Sequence, residues 1–262
     1  MARKSDIRRE TLIGLAEASG LTSVEELSVR LGVTASTIRR DLARLQDGGR
    51  LARTYGGAMA IVAHHETSLP QRAREATGAK RAIARWAARQ IVSGETVLLD
   101  SGTTTGALAR ELRSASNLTV VTTGLTTLNQ LADVGGGVHL ECLGGTFRPA
   151  SQGFVGPLAE TSLERMTFDR VFLGADGVTA DHGICEADLA QTQLKELMTK
   201  RTECTYVLAH ASKLGRRPFH AWASLPDRWT LVTDDSAAVE TLEPFRVRGV
   251  NVVVVDTDGR AV

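Results

Sequence analysis

Two short runs in this sequence hold residue types that could do chemistry. The first is Ser36-Thr37-Ile38-Arg39-Arg40 with Arg44, followed by Arg50 and Arg53. Hydroxyls and guanidinium groups crowded on so short a stretch suit a polyanion. An arginine can grip guanine through two hydrogen bonds, which discriminates by about 1–3 kcal/mol per good pair. Other cations meet backbone phosphates and fix register without reading sequence. Ser36, Thr37 and Arg40 are the candidates for base edges, and Arg39, Arg44, Arg50 and Arg53 for phosphates. A helical hairpin used for dimerisation, its arginines merely solvated, would show the same spacing. The second run is Asp100-Ser101-Gly102-Thr103-Thr104-Thr105. It follows an apolar stretch and opens an amphipathic one. A helix N-terminus offers unpaired amides and a positive dipole end to a phosphate. Gly102 lets backbone approach closely, three threonine hydroxyls add donors, and Asp100 could accept from sugar hydroxyls. An ordinary capped turn uses the same residue types. The run is not a Walker A loop, and no dinucleotide fingerprint occurs.

The elements that must position these runs can be read from periodicity. The first 20 residues form one helix with Ile7, Leu12, Leu15 and Ala16 on its apolar face. A second starts at Ser23, where Ser23 and Glu26 make a capping box, and ends at Gly32. Thr34 caps a third from Ala35 to about 46, with Ile38, Leu42 and Leu45 on one stripe. This is a helix-turn-helix pattern that leaves the arginines facing outward. Arg50–Tyr55 reads as a short basic strand pair closed by Gly56-Gly57, the wing of a winged helix. Residues 59–79 lack sustained periodicity and contain Pro70 and Gly78, so they are the expected linker between a DNA-binding domain (1–58) and a second domain (80–262). Arg72 and Arg74 could dock that linker on either domain. From residue 80 onward, helices near 80–93, 106–113, 125–132 and 187–200 alternate with short apolar strands at 96–100, 118–122, 138–143, 171–173, 206–209, 231–233 and 251–255. That alternation implies a mostly parallel sheet between helices, an α/β sandwich.

Composition excludes several classes. The 262 residues are 42% hydrophobic and 23% charged, ordinary globular values that rule out a disordered chain or a fibre. Charged residues break every apolar run before it could span a bilayer, and the start Met1-Ala2-Arg3-Lys4 lacks a secretory apolar core; the expected location is cytoplasmic, with no membrane partner. Cys142, Cys185 and Cys204 are odd in number and fit neither a disulfide framework nor a zinc site. No metal or cofactor is expected. Net charge is only +1, but residues 1–62 carry ten Arg/Lys against seven Asp/Glu, a local basic footprint that fits nucleic acid.

Thr37-Ile38-Arg39-Arg40-Asp41-Leu42, then Leu45, Gly49, Leu51, Arg53 and Gly56-Gly57-Ala58, resemble the signature of the DeoR family of bacterial transcriptional regulators. The similarity continues through Asp100–Thr104, Gly144-Gly145 with Arg148, Gly156-Pro157, Gly174-Ala175-Asp176-Gly177, Glu186 and Ser212-Lys213. It implies a winged helix-turn-helix domain followed by a sensor domain similar to ribose-5-phosphate isomerase. It also implies repression of sugar or nucleoside catabolism genes, relieved by a phosphorylated metabolite. By that resemblance Ser101–Thr105 hold phosphate, Asp176 and Lys213 meet the sugar end, and Lys213 and Arg148 neutralise the ligand's charge; Glu186 and His210 complete the expected pocket. Two residues depart from the family. His210 stands where aspartate is usual, and Thr122-Thr123 where Thr-Asn is usual. His210 could add positive charge near pH 6–7, since its unperturbed pKa is about 6.5.

The expected partners are double-stranded operator DNA, a sugar-phosphate effector and a second copy of the chain, in an even-numbered homo-oligomer that matches a palindrome. No catalytic residue is expected. An isomerase-like enzyme fused to a DNA-binding domain is the rival reading, with Asp176 or Glu186 as base and Lys213 as helper. Against it, the isomerase has an aspartate where this chain has Leu173. A regulator without any small-molecule effector is the other rival.

Overall fold

The computed structural model describes Ser5, Arg8, Arg9, Thr11 and Leu12, then residues 22–47, 52–54, 57–59 and 66–262. The chain divides into two compact units, Met1–His65 and Glu66–Val262.

In the first unit Ser5, Arg8, Arg9, Thr11 and Leu12 are helical. Helices α1 (Val24–Leu31) and α2 (Ala35–Asp47) follow. Gly32 holds φ at +61° in the turn between them, where a side chain would be strained. The Thr34 hydroxyl accepts from the Thr37 amide at 3.3 Å and so caps α2. Leu12, Val24, Leu27, Ile38, Leu42 and Leu45 form the core, the stripe that the helical period requires. Strands β1 (Thr22–Ser23), β2 (Ala52–Thr54) and β3 (Gly57–Met59) make a sheet in the order β1-β3-β2. The expected basic strand pair is thus corrected. Among the described residues of that stretch, 52–54 form β2; its partner begins at Gly57, in a run too short and too small to show alternation. Arg50 lies outside the described residues, and Arg53 is placed only by its backbone, on β2.

The second unit carries a seven-stranded parallel sheet in the order β15-β14-β12-β9-β4-β5-β6. Its strands are β4 (Thr96–Leu99), β5 (Leu118–Thr122), β6 (Val138–Cys142), β9 (Phe168–Leu173), β12 (Thr202–Leu208), β14 (Thr230–Asp234) and β15 (Asn251–Val255). Side chains alternate between two buried layers. Val97, Leu99, Val120, Phe172 and Val232 pack with Ile83 and Ala87 of α4 (Thr77–Gln90) and Leu108 of α5 (Thr103–Glu111), together with Leu131 of α6 (Leu125–Leu131). Leu98, Val121, Val171, Leu173 and Leu231 pack on the other side, with Leu163 of α7 (Pro157–Leu163), Leu194 and Met198 of α8 (Leu189–Lys200) and Phe245 of α9 (Val239–Val247). Two small antiparallel pieces cap the carboxyl end: a ribbon of β7 (Thr146–Arg148) with β8 (Gly153–Val155), and a sheet of β10 (Gly177–Thr179), β11 (Gly183–Glu186) and β13 (Ala221–Ala223).

The stretch read as a linker is partly folded. Residues 66–79 belong to the second unit. Helix α3 (Leu69–Arg74) starts after Ser68, whose amide donates to Gln71 Oε1 at 3.2 Å, and Leu69 is buried. Pro70 falls in the first turn, where the missing amide costs nothing; the residue that looks like a breaker starts a helix.

Candidate functional site

Strand order reverses between β4 and β9. The chain runs outward one way through β5 and β6, and the other way through β12, β14 and β15. In open α/β sheets a crevice forms at this switch point, beyond the carboxyl ends of the strands. Asp100 lies there, one residue past β4, and is 3% exposed. Its Oδ1 accepts from the Ser101 amide at 2.7 Å. Its Oδ2 accepts from the Gly174 amide at 3.1 Å, across the crevice, and faces Lys195 Nζ at 2.7 Å. Asp100 is expected from the sequence to meet sugar hydroxyls; here its oxygens hold the loop in shape. Glu186 is held in a similar way. It is buried, and Lys195 Nζ donates to its Oε1 at 2.6 Å and to the Gly174 carbonyl at 2.8 Å. Burial pushes the Glu186 carboxyl up to about 7, against the pull of Lys195. Burial opposes the charge on Lys195, but Asp100 and Glu186 outweigh it and hold its proton firmly.

Above this floor sits the loop of Ser101–Thr105. Gly102 is the N-cap of α5 and has no side chain to offer, so no side chain caps the helix N-terminus. The Thr105 hydroxyl is spent on the Gly102 carbonyl at 3.2 Å. Two further loops close against Ser101. A Cβ on Gly153 would lie 2.5 Å from Ser101 Oγ, and one on Gly124 would lie 3.0 Å from Ser101 Cα. Only glycine permits so close an approach at Gly153.

The rim is charged. Arg72 Nη1 donates to Asp176 Oδ1 at 2.8 Å, and its Nη2 donates to Glu66 Oε1 at 3.1 Å and to the Ala150 carbonyl at 2.9 Å. Arg148 donates to Glu66 Oε2 and faces Asp188 at 3.6 Å. Lys213 donates to the Ala175 carbonyl at 2.7 Å and stands 3.5 Å from Asp176. Lys80, on the first turn of α4, donates to the Arg72 carbonyl. Burial, then the charge of Lys213, lowers its pKa to about 8. Burial likewise lowers Lys213, partly offset by Asp176. His210 is 6% exposed, and Ser212 Oγ lies 3.1 Å from its Nδ1. Burial, then Lys213 and Lys80, hold it down to about 4. The expected positive charge on His210 near neutrality is corrected: the ring is neutral there, because burial first, and then the ammonium groups of Lys213 and Lys80, disfavour the charged form.

Among the described residues, Arg72 Nε, Thr123 Oγ1, Arg148 Nη1, Ser151 Oγ, Asp176 Oδ2 and His210 Nε2 are buried with no protein hydrogen-bond partner. Such groups each cost about 1–3 kcal/mol when left unsatisfied, so native folds rarely keep several in one region. Donors and acceptors of both kinds, gathered at the carboxyl end of one sheet, can hold a small, polyhydroxylated anion.

In the first unit Ser36, Arg39, Arg40 and Arg44 stand exposed along α2, and Thr37 is half-buried. Asp41 does not offset them. It turns inward, 4% exposed, and accepts from Arg8 at 2.6 Å, which ties α2 to the helical residues near the N-terminus. Arg39 lies 3.6 Å from Glu25, both well exposed.

Residues 8–63 match the DeoR-like helix-turn-helix domain, and residues 75–235 match the DeoR C terminal sensor domain. The chain is 34% identical to the HTH-type transcriptional regulator GlpR of Haloferax volcanii, over 94% of this chain and 96% of that protein. It is 34% identical to a putative aga operon transcriptional repressor of Escherichia coli O157:H7, over 95% and 93%. This chain belongs to the DeoR family of transcriptional regulators. Among solved structures, ribose 5-phosphate isomerase A of Methanocaldococcus jannaschii matches 51% of this DeoR-family chain and 52% of its own at 16% identity, with a TM-score of 0.38. No described helix of this DeoR regulator is long and apolar enough to cross a membrane.

Sequence reasoning on this DeoR chain missed Glu66, Arg72, Lys80, Asp188 and Lys195 as parts of the site. For Lys195 a signal existed. It shares the buried face of α8 with Gln191, Leu194 and Met198, and a lysine at an apolar position of a helical stripe needs a buried anion. Glu66 and Arg72 pair with each other six residues apart, but what makes them part of the site is their contact with Arg148 and Asp176, far off in sequence.

Proposed function

We propose that this chain is an effector-controlled repressor of carbohydrate genes. The first unit binds operator DNA, with Ser36, Thr37 and Arg40 at base edges and Arg39, Arg44, Arg50 and Arg53 at phosphates. The second unit binds a phosphorylated sugar at the carboxyl end of its parallel sheet. Phosphate sits at the uncapped start of α5, over Ser101–Thr105, with the sugar toward Asp176, Lys213, Arg148 and His210. The observation that carries this reading is the set of buried, unpartnered polar atoms that converge at the switch point, in a chain that also carries an exposed basic recognition helix. The names of relatives agree with it: a putative aga operon transcriptional repressor and a lactose phosphotransferase system repressor of Streptococcus mutans, the latter 30% identical over 88% of this chain and 92% of that protein. Even-numbered oligomers would place two recognition helices on half-sites about 34 Å apart, or a multiple of that.

Regulation fits the site better than turnover. Asp100 and Glu186 are tied to Lys195, and Asp176 to Arg72 and Lys213, so each carboxylate that could serve as a base is held by a cation. The test is fluorescence anisotropy on DNA from upstream of the gene and its neighbours, at two salt concentrations, with and without sugar phosphates. Salt-dependent, sequence-selective binding that one sugar phosphate releases is expected. Selective binding that no ligand alters would remove the effector from the reading, and the absence of selective binding would remove the repressor.

A further inference from the structure

Glu66 is the first residue of the second unit, where the chain arrives from the DNA-binding unit. Its side chain is 6% exposed and bridges two guanidinium groups from distant elements, Arg72 on α3 and Arg148 at the end of β7. A carboxylate held between two arginines occupies the place that an anionic ligand would take, because the planar fork of arginine suits carboxylate and phosphate alike. The arrangement is not saturated. Arg72 Nε, Arg148 Nη1 and Asp176 Oδ2 are buried without partners in the same cluster. Arg72 also donates to Asp176 and to the Ala150 carbonyl, so it stays anchored in the pocket when Glu66 leaves.

We propose that Glu66 is a tethered competitor: a carboxylate built into the chain that occupies Arg72 and Arg148 until an anionic effector displaces it. This inference rests on the sensor reading above and adds to it how occupancy is transmitted. The effector's phosphate lies over Ser101–Thr105 while its oxygen-rich far end takes the arginines, Glu66 is expelled, and the segment that leads from the DNA-binding unit loses its anchor. A ligand shifts such an equilibrium only by its preference for one state. Here the preference is built in, because the anionic effector and Glu66 exclude each other at the two arginines. Arg72 and Arg148 are then effector-binding residues, and Glu66 sets the threshold.

The test uses the full chain and Glu66→Gln, which keeps shape and removes charge. Inorganic phosphate and a panel of sugar monophosphates are titrated calorimetrically, and operator binding is followed by anisotropy. If Glu66 occupies the arginines about nine-tenths of the time, removing its charge tightens anion binding about tenfold. The operator affinity of the variant should also become less responsive to sugar phosphate. A scaffold role for Glu66 would do the opposite and weaken anion binding; that result, or unchanged binding, overturns the proposal. If Glu66→Gln unfolds, Glu66→Asp replaces it: too short to span both arginines, it should tighten binding by a smaller factor. Tighter phosphate binding with no sugar phosphate acting on the operator would keep the competitor and sink the sugar-phosphate reading. Sugar phosphates that release operator from parent and variant alike would do the reverse. If no anion binds either protein, both fall.

Discussion

Replacing Lys195 with methionine keeps length and apolar contact while removing the cation that touches both Asp100 and Glu186. Two carboxylates would remain, each about 3–4% exposed and close enough to have shared one ammonium. Breaking a buried pair by deleting one partner costs about 3–5 kcal/mol, because the remaining charge has lost its compensation. For a unit of this size each kcal/mol shifts Tm by about 2–4 °C, so a fall of roughly 10 °C is expected. Trp86, Trp222 and Trp229 all lie in the second unit, so tryptophan fluorescence in urea reports on it alone. The loss should also depend on pH. Glu186 titrates at about 7, raised by burial from its ordinary 4.5. The folded state therefore holds more protons across that window, and stability falls as pH climbs through it. Without Lys195 the same carboxyl rises further, and the variant should be hurt more near pH 8 than near pH 5. Adding Glu186→Gln should recover part of the loss, since one of two coupled charges is gone. A loss below about 1 kcal/mol, or one equal at both pH values, would refute the reasoning.

Three other outcomes are expected. Arg40→Ala should cost about 1–3 kcal/mol on the operator and relax specificity at one base pair, whereas Arg53→Ala should weaken all sequences alike and flatten the salt slope by about one unit; anisotropy over a salt series separates them, and identical behaviour would undo the division of roles. Lys213→Ala should abolish the response to sugar phosphate and leave operator affinity unchanged, and a fall in operator affinity would make Lys213 structural. His210 should titrate by NMR at about 4. Because its folded pKa lies below the unfolded 6.5, its contribution to stability is complete above that pH and is lost as pH falls toward 4; a midpoint near 6.5 would contradict its burial beside two ammonium groups.

Legibility in the sequence varied with the kind of residue. Strands at Leu118–Thr122 and Asn251–Val255 were readable to the residue, because a strand buried on both faces is a short, continuous apolar run. Helix α9 was not, since Pro244 sits inside it and interrupts the pattern. The three-residue strands β7, β8, β10 and β13 are too short to show alternation. The site divides along the same line. Asp100–Thr105 is contiguous and announces itself, but the roles of Asp100 and Glu186 depend on Lys195, which only tertiary packing brings to them. His210 is visible as an unusual residue, yet its neutrality follows from burial and then from Lys213 and Lys80, which only the fold brings around it.

The reversal of strand order also bears on synthesis. Asp100 and the Gly174 amide that completes its loop are 74 residues apart. While the ribosome is still making the segment between them, β4 can pair with β5 and leave its other edge, Val97–Leu99, open. Unpaired apolar edges are templates for other chains, and partly folded states that expose them aggregate readily. The growing chain must therefore shield this edge until β9 emerges. Chains stopped short of Gly174 lack the amide that completes the Asp100 loop, so that loop cannot yet take its final shape.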